Sequence, residues 1–249
     1  MKGQFEKKVN MIIPIWKKTK HISVSLSELY PIVIVNNNIF EIYDFNFNLS
    51  KYEYIKSVDS NMQLPSRGLR AAMPLEFYGG KCCAVINIDC FDDIENQILL
   101  LHEFVHCYQY KTCEPTLRKN LELQKVSTEK GDMMWEINYE FPYNNTDVTF
   151  YLKQYFSNLD NLESFSELHL NIKNCVSALD YEYMIWQEWK EGYARYIENC
   201  IRNYLNVNQN TLSNFDNFDR TVFYELGCRW FNLHNDIDLV ENYKALLLL

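Results

Sequence analysis

The sequence lacks an excess of basic charge: 24 lysines and arginines stand against 33 aspartates and glutamates, which gives a net charge of −9. No basic run is long enough to follow a phosphate backbone, so we do not expect a nucleic-acid partner. The sequence also lacks an uninterrupted apolar stretch of the length that a membrane span requires. We therefore expect a soluble protein with no membrane partner.

A recognisable signal peptide and a CxxC pair of cysteines are also missing. The apolar run from Met11 to Trp16 is short and is interrupted by Pro14. Cys82 and Cys83 are adjacent and the other cysteines are scattered, so a zinc site built from cysteines is not indicated. Buried reduced thiols fit this pattern best and predict a cytoplasmic protein, with an exported protein that has one or two disulfides as the alternative.

Apolar residues form 47% and aromatic residues 15% of the 249 positions, which indicates a large and well-filled core. β-Branched and aromatic runs dominate residues 1–92, whereas helical spacing dominates residues 93–249. We therefore predict a single α+β domain, residues 1–249, in which a sheet-rich N-terminal lobe precedes a mainly helical lobe. The predicted strands are Asn10–Trp16, Ile22–Leu26, Ile32–Val35, Ile39–Phe45 and Lys81–Cys90, with a surface loop at Pro65–Gly80.

The most informative stretch is the sequence HEFVH, residues 102–106, inside an apolar run. On a helix, His102 and His106 lie one turn apart on the same face, where both imidazoles can reach one zinc ion. Glu103 can reach a water on that metal and take its proton as the water attacks a carbonyl. A catalytic zinc needs a third protein ligand, which must come from elsewhere in the chain.

The helix that contains this motif is predicted from Asp93 to about Lys111. Asp92, with Glu95 three residues later, fits a capping box at its start. Apolar residues lie on nearly every face, which places the helix in the interior. The predicted strand Lys81–Cys90 directly precedes it, and we expect an extended peptide to add to the exposed edge of that strand.

A second long helix, predicted from Tyr181 to about Leu205, has a glycine in its middle. Glycine at such a position costs about 1 kcal/mol relative to alanine. Gly192 therefore indicates that something approaches too closely for a side chain, such as the metal-bearing helix or a substrate. Glu191 beside it is the candidate third ligand, and Glu188, one turn earlier, is the alternative.

The two motifs, HEFVH and WKEGYARYIE at residues 189–198, resemble those of the gluzincin metallopeptidases, whose aminopeptidase branch has WLNEGFA as its second motif. The resemblance implies a zincin-like fold with the active-site cleft between the two lobes. It implies that His102, His106 and Glu191 bind Zn²⁺ and that Glu103 is the general base in peptide-bond hydrolysis. The expected partner is a peptide or protein substrate, while the substrate-binding residues and the oligomeric state stay open.

This chain departs from the resemblance in three places. The interval between His106 and Glu191 is longer than in the aminopeptidases, which places an extra helical segment, roughly residues 111–180, between the motifs. The strand before HEFVH lacks the GAMEN-like sequence that binds a free amine, so N-terminal exopeptidase activity is not implied. Arg195 stands where several gluzincins have an acidic residue that orients a ligand histidine, which leaves that role to Glu198 or another carboxylate.

An oxyanion donor is not identified by any motif, and Tyr193, Tyr196 and Tyr224 are the candidates. Two alternatives to a peptidase remain. One is a catalytically silent zincin-like module that binds a peptide or a protein. The other is a helical protein whose histidines are structural. The presence of all four motif residues favours the enzyme.

Overall fold

The computed structural model describes residues 3–60, 64–158, 161–212, 217–234 and 238–249. Within these ranges the chain forms one five-stranded sheet and eleven α-helices, which confirms the predicted α+β class. The chain divides into two units, Met1–Thr112 with Ile197–Gln209, and Cys113–Tyr196 with Asn210–Leu249. None of the helices in the described ranges combines the length and the apolar content that a membrane span requires.

All five strands belong to the first unit, and most of the helices belong to the second. The first unit contains α1 (Glu6–Val9), α2 (Ile12–Thr19), β1 (Ile32–Asn36), β2 (Ile39–Asn46), β3 (Lys51–Asp59), β4 (Arg70–Leu75), β5 (Lys81–Ile86) and α3 (Ile94–Thr112). The second contains α4 (Glu114–Arg118), α5 (Glu122–Glu129), α6 (Trp135–Asn138), α7 (Thr146–Phe156), α8 (Leu162–Cys175), most of α9 (Ala178–Tyr204), α10 (Thr221–His234) and α11 (Leu239–Leu247). The residues of α9 from Ile197 onward belong to the first unit.

The sheet has the strand order β3-β2-β1-β5-β4, in which β1 and β5 are parallel and the other pairs are antiparallel. The predicted strands Ile32–Val35 and Ile39–Phe45 are confirmed as β1 and β2. Asn37 and Asn38 form the turn between them with φ values of 49° and 59°, a conformation that asparagine tolerates well. Strand β1 and the last four residues of β5 are buried except for Asn36, because their side chains are apolar on both faces of the sheet.

The predicted strand Asn10–Trp16 is wrong, because most of this segment lies in helix α2. Val9, Ile12 and Ile13 are buried and thus follow the helical spacing, while the lysines of the last turn are exposed. The predicted strand Ile22–Leu26 is also wrong, because Val24–Leu26 form a short 3₁₀ turn. In both segments the β-branched composition favours a strand. The buried residues around Asn10–Trp16 instead follow helical spacing, and Val24–Leu26 is too short to form a strand.

The predicted loop Pro65–Gly80 contains an additional strand, β4, which pairs with β5. The expectation that a peptide adds to the Lys81–Cys90 strand is therefore wrong, because β5 has β1 on one side and β4 on the other. Among the described strands, β4 is the edge of the sheet on this side. Pro74 within β4 fits this position, because proline cannot donate a hydrogen bond to a neighbouring strand.

Helix α3 is confirmed to within one residue at each end. Its start is capped by Asp93 and not by Asp92, since the Asp93 Oδ1 atom accepts a hydrogen bond of 2.7 Å from the backbone N–H of Asn96. The helix packs against β5 and β4, and most of its side chains are buried. A helix that is apolar on nearly every face has no solvated side, which explains why its polar motif residues are buried as well.

The cysteines are thiols. None of the eight, all of which belong to the described residues, forms a disulfide. Cys83, Cys90 and Cys107 are buried among apolar side chains, as the sequence pattern predicts. Burial raises the pKa of Cys90 to about 12, so this side chain stays protonated at neutral pH.

Candidate metal centre

Helix α3 places the three motif residues of HEFVH at buried positions. His102, Glu103 and His106 are 9%, 7% and 6% exposed. Because the histidines are four residues apart, both rings lie on one face of the helix, where they meet edge to face with their Nε2 atoms 3.1 Å apart. Two imidazole nitrogens therefore converge on one point, as the spacing predicts.

The other ring nitrogen of each histidine faces an acceptor oxygen. His102 Nδ1 lies 3.0 Å from Glu198 Oε2, and His106 Nδ1 lies 2.8 Å from Gln109 Oε1. A carboxylate and an amide oxygen accept hydrogen bonds, so in both rings the proton belongs on Nδ1. The Nε2 atoms then present their lone pairs to each other.

This donor arrangement fits a metal ion. Two nitrogen lone pairs that face each other at 3.1 Å repel unless a cation or a proton lies near both. Tetrahedral zinc with bonds of about 2.0–2.1 Å separates two nitrogen ligands by about 3.3 Å, close to this distance. The hydrogen bonds at Nδ1 also match the way in which metal-bound histidines are usually oriented.

Glu191 is the third member of the group, as predicted. The potential ligand atoms of His102, His106 and Glu191 all lie within 4.8 Å of one another, and Glu191 is half-buried. This distance is longer than the about 3.3 Å between ligand atoms around a tetrahedral zinc ion. The three side chains are therefore near enough to share one ion once their ligand atoms draw closer together.

Glu198 is the carboxylate that contacts the ring of His102, a position for which the sequence offered Glu198 or another carboxylate. Its second oxygen, Oε1, accepts a hydrogen bond of 2.7 Å from Arg202 Nε, one turn further along α9. Burial alone would raise the pKa of Glu198, but the hydrogen bonds from His102 and Arg202 and the positive charge of Arg202 outweigh it and lower the pKa to about 2. Glu198 is therefore an anion that holds the His102 ring.

Glu188, the alternative ligand, lies against a different histidine. Its Oε2 atom is 3.2 Å from His169 Nε2, and both side chains are fully buried. The two groups are within ion-pair distance but are not aligned for a hydrogen bond. Burial raises the pKa of Glu188, while the charge of His169 opposes the shift. Glu188 is not part of the group formed by His102, His106 and Glu191.

Gly192 makes a close backbone contact, but the partner differs from those that we expected. A Cβ atom at this position would lie 2.4 Å from the Cα of Gly227 on α10. The closest neighbour is thus another helix backbone and neither the metal-bearing helix nor a substrate. Gly192 therefore sets the crossing of α9 and α10.

Lys190, next to Glu191, anchors α9 through a buried ion network. Its Nζ atom lies 2.9 Å from Glu114 Oε1 and 3.1 Å from both carboxylate oxygens of Glu136. Trp186 Nε1 donates a further hydrogen bond of 2.7 Å to Glu136. Burial acts to raise the pKa of Glu136, but the charges of Lys190 and Arg118 dominate and lower it. The network holds the turn of α9 that contains Glu191.

The three tyrosine candidates for an oxyanion donor have different surroundings. Tyr193 is buried and packs on Phe231 with ring centroids 5.1 Å apart, and Tyr196 stacks on the same ring at 6.2 Å. Tyr224 is half-buried, and the guanidinium of Arg195 lies 5.2 Å from its ring centroid. None of these contacts singles out one tyrosine as a donor.

Gln109 and Arg202 belong to the site but were not identified from the sequence. Gln109 follows His106 by three residues and Arg202 follows Glu198 by four, which are the spacings at which side chains on one helix meet. Each of these two residues could therefore be found in the sequence from its spacing to its partner on the same helix. Every helix contains many pairs with this spacing, so the spacing is informative only once the face of the helix that holds the site is known.

Comparison with known proteins adds no relative: no family model, no curated protein and no solved structure matches this chain. The interpretation of the site therefore rests on its own geometry. Within the described residues, that geometry assembles one group of histidine, cysteine, aspartate or glutamate side chains that can hold a metal ion.

Proposed function

We propose that this protein is a zinc-dependent metallopeptidase of the gluzincin type, with a zincin-like fold. One observation supports the proposal above all others. Two buried histidines present Nε2 atoms 3.1 Å apart, and Glu191 completes a group within 4.8 Å. Two imidazoles and one carboxylate are the protein ligands of a known class of catalytic zinc site, which leaves a fourth position for water or substrate.

The choice of zinc rests on the donor types. Neutral imidazoles and one carboxylate suit a borderline metal, whereas magnesium and calcium prefer oxygen ligands alone. Zinc in such a site lowers the pKa of a bound water to about 7 and polarises a carbonyl group. The residues of this chain supply the rest of the chemistry.

Glu103 is the proposed general base. It directly follows His102, within the turn that separates His102 from His106, and it is buried. Its carboxylate accepts the proton of the attacking water and then donates it to the amine of the departing peptide fragment. The same group thus acts first as a base and then as an acid.

Glu198 and Gln109 are proposed to keep the two histidines in their metal-binding orientation. Both accept from Nδ1 and so leave Nε2 free of a proton. Glu198 is an anion and strengthens the basicity of His102, whereas Gln109 is neutral. Arg202 in turn holds Glu198 in place.

An extended peptide is the substrate that suits the sheet. The strand β4 packs beside α3, and no described strand pairs with its outer edge. Main-chain hydrogen bonds to such an edge bind a peptide with little regard to its sequence. We therefore propose β4, and not β5, as the strand along which the substrate lies.

Metal analysis and peptide hydrolysis test this proposal together. Purified protein should contain about one zinc per chain, and removal of the metal by a chelator should lower its melting temperature. It should cleave peptides from a mixed fluorescence-quenched library, and Glu103→Gln should reduce the rate by about a hundredfold or more while the zinc stays bound. The matched control is Glu129→Gln, which changes an exposed glutamate on α5 and should leave the rate unchanged.

The three outcomes separate the alternatives. Zinc with hydrolysis that depends on Glu103 supports the peptidase. Zinc without hydrolysis supports the catalytically silent zincin-like module that binds a peptide or protein. Absence of zinc, with unchanged thermal stability in chelator, would show that the histidines are structural.

A further inference from the structure

Arg195 is a buried arginine one turn after Glu191 on α9. Its residue exposure is 7%, similar to the 5% of Arg202 on the same helix. Residues four apart on a helix share a face, so Arg195 and Glu191 lie on the same side of α9. A cationic side chain is therefore buried next to the group that can hold the metal.

The contacts of Arg195 are few. Its Nη1 atom makes a long hydrogen bond of 3.4 Å to the carbonyl oxygen of Thr221, and its guanidinium lies over the ring of Tyr224. Its Nε atom is buried and has no hydrogen-bond partner. No aspartate or glutamate in the described part of the chain lies within ion-pair distance of it.

Three other buried or half-buried arginines are paired with a carboxylate. Arg202 contacts Glu198 at 2.7 Å, Arg229 contacts Glu225 at 3.0 Å, and Arg70 contacts Asp89 at 3.3 Å. Removing a charge from water without a counter-ion is costly, and proteins rarely retain such a group. Arg195 therefore differs from these arginines in lacking an anion, and a bound ligand can supply one.

The free edge of the guanidinium has the geometry that a carboxylate needs. The Nη1 atom donates to the carbonyl oxygen of Thr221. The Nε and Nη2 atoms lie along one edge of the planar group, and neither donates a hydrogen bond to a described residue. Two parallel N–H groups on such an edge bind both oxygens of a carboxylate. The free edge thus favours a planar anion over a single point charge.

The surroundings of Tyr224 place a second cation nearby. Burial raises the pKa of Tyr224, and the negative charge of Glu191 raises it further, while the charges of Arg220 and Arg195 lower it. Tyr224 is thus close enough to Glu191 and to both arginines for their charges to act on it. Arg220 is half-buried and, in the described ranges, also has no carboxylate partner.

We propose that Arg195 binds a carboxylate of the peptide that occupies the metal site. The carboxylate belongs either to an acidic side chain or to the C-terminus of the substrate. This inference rests on the proposed function, because it assigns the substrate class of the same site. It makes Arg195 a residue that determines substrate preference, and it gives a reason for a basic residue one turn after Glu191.

A binding experiment without turnover tests the proposal. Zinc-loaded protein with the substitution Glu103→Gln is titrated with fluorescein-labelled octapeptides made of alanine, leucine, phenylalanine, serine and glycine. Every peptide in a pool contains either one glutamate or, in the matched pool, one glutamine. Both kinds of pool are made in two forms, one with a free C-terminal carboxylate and one with a C-terminal amide. The preferred carboxylate should improve binding by about tenfold or more over its neutral counterpart.

The variant Arg195→Met should abolish this preference while binding of the neutral peptides stays within a factor of about two, since methionine keeps the apolar stem. Arg195→Lys should keep only part of the preference, because an ammonium cannot form the two parallel bonds. Arg229→Met is the matched control, since Arg229 is a half-buried arginine that is paired with Glu225. It should leave the preference unchanged.

Two results would overturn the proposal. One is equal binding of the acidic and neutral pools by the protein that retains Arg195, a comparison that does not depend on the folding of any Arg195 variant. The other is an equal loss for all pools in Arg195→Met, which would indicate a purely structural arginine. The glutamate and free-acid pools distinguish the side-chain from the C-terminal carboxylate. Failure of the proposed function would appear separately, as absence of hydrolysis in the protein with Glu103 intact.

Discussion

Gly192 and Gly227 bring the backbones of α9 and α10 into direct contact. A Cβ atom on Gly192 would lie 2.4 Å from the Cα of Gly227, and one on Gly227 would lie 2.0 Å from the carbonyl oxygen of Glu188. Both neighbours are backbone atoms, which cannot rotate away as a flexible side chain can. The two helices can therefore cross at this distance only if both positions are glycine.

We expect Gly192→Ala to destabilise the protein even though alanine is the better helix former. The intrinsic gain of about 1 kcal/mol is smaller than the cost of separating two packed helices, which we place at about 2–4 kcal/mol. Urea unfolding of the metal-free protein measures the change. Asn203→Ala, at an exposed position of the same helix, is the control and should be neutral or slightly stabilising. A stabilised Gly192→Ala would contradict the close crossing.

We expect Glu198→Gln to weaken metal binding by about 10–100-fold. The amide keeps the size of the side chain but loses the charge that holds the Nδ1 proton of His102. Competition with a chromophoric chelator measures the affinity. Glu225→Gln is a matched control, because Glu225 is also buried and is paired with an arginine four residues later. Equal effects of the two substitutions would show that Glu198 acts only through general stability.

We expect Lys190→Met to lower the free energy of unfolding by about 1–3 kcal/mol, because it leaves the Glu114 and Glu136 carboxylates with Arg118, at 3.5 and 3.6 Å, as their remaining cation. Chemical unfolding of metal-free protein separates this effect from metal binding. Lys125→Met removes an exposed ion pair with Glu122 and should cost less than about 1 kcal/mol. Similar losses in both variants would argue against the buried network.

The buried Glu188 predicts a pH-dependent effect of Glu188→Gln. Its pKa is raised in the folded protein, so the folded state binds the proton more tightly than the unfolded state, whose glutamate pKa is about 4.3. The contribution of Glu188 to stability is therefore present below about pH 4.3 and is lost as the pH rises through the raised pKa. Glutamine does not titrate, so the stability of Glu188→Gln relative to the parent should increase over this range and then level off.

Melting temperatures of the metal-free proteins at a series of pH values measure this trend. Glu53→Gln is a control for which we expect the opposite pH trend in stability, because hydrogen bonds from Asn46 and Lys51 lower the pKa of Glu53. Its contribution is present above the unfolded pKa and is lost as the pH falls, so Glu53→Gln should become relatively more stable toward acid. A flat pH profile for Glu188→Gln would show that Glu188 is not held in the surroundings described above.

Several features of the fold and the candidate site follow from local rules and could be read from the sequence. The positions of β1 and β2 follow from runs of β-branched and aromatic residues around an asparagine turn. The helix α3 and the convergence of His102 and His106 follow from helical spacing alone. Glu191 follows from the second motif, although Gly192 beside it contacts Gly227 and not the helix that contains the histidines.

The sequence by itself therefore determined that His102 and His106 share one face of α3, because residues four apart on a helix lie one turn above each other. Only the tertiary structure decided that β4 is the edge strand, that Glu198 holds His102, and that Gly227 is the partner of Gly192. His102 and Glu198 are 96 residues apart, and nothing in local spacing relates them. Such contacts form only when two separate elements pack together. The conformational preference of each segment decides its own secondary structure but not which other segment it packs against.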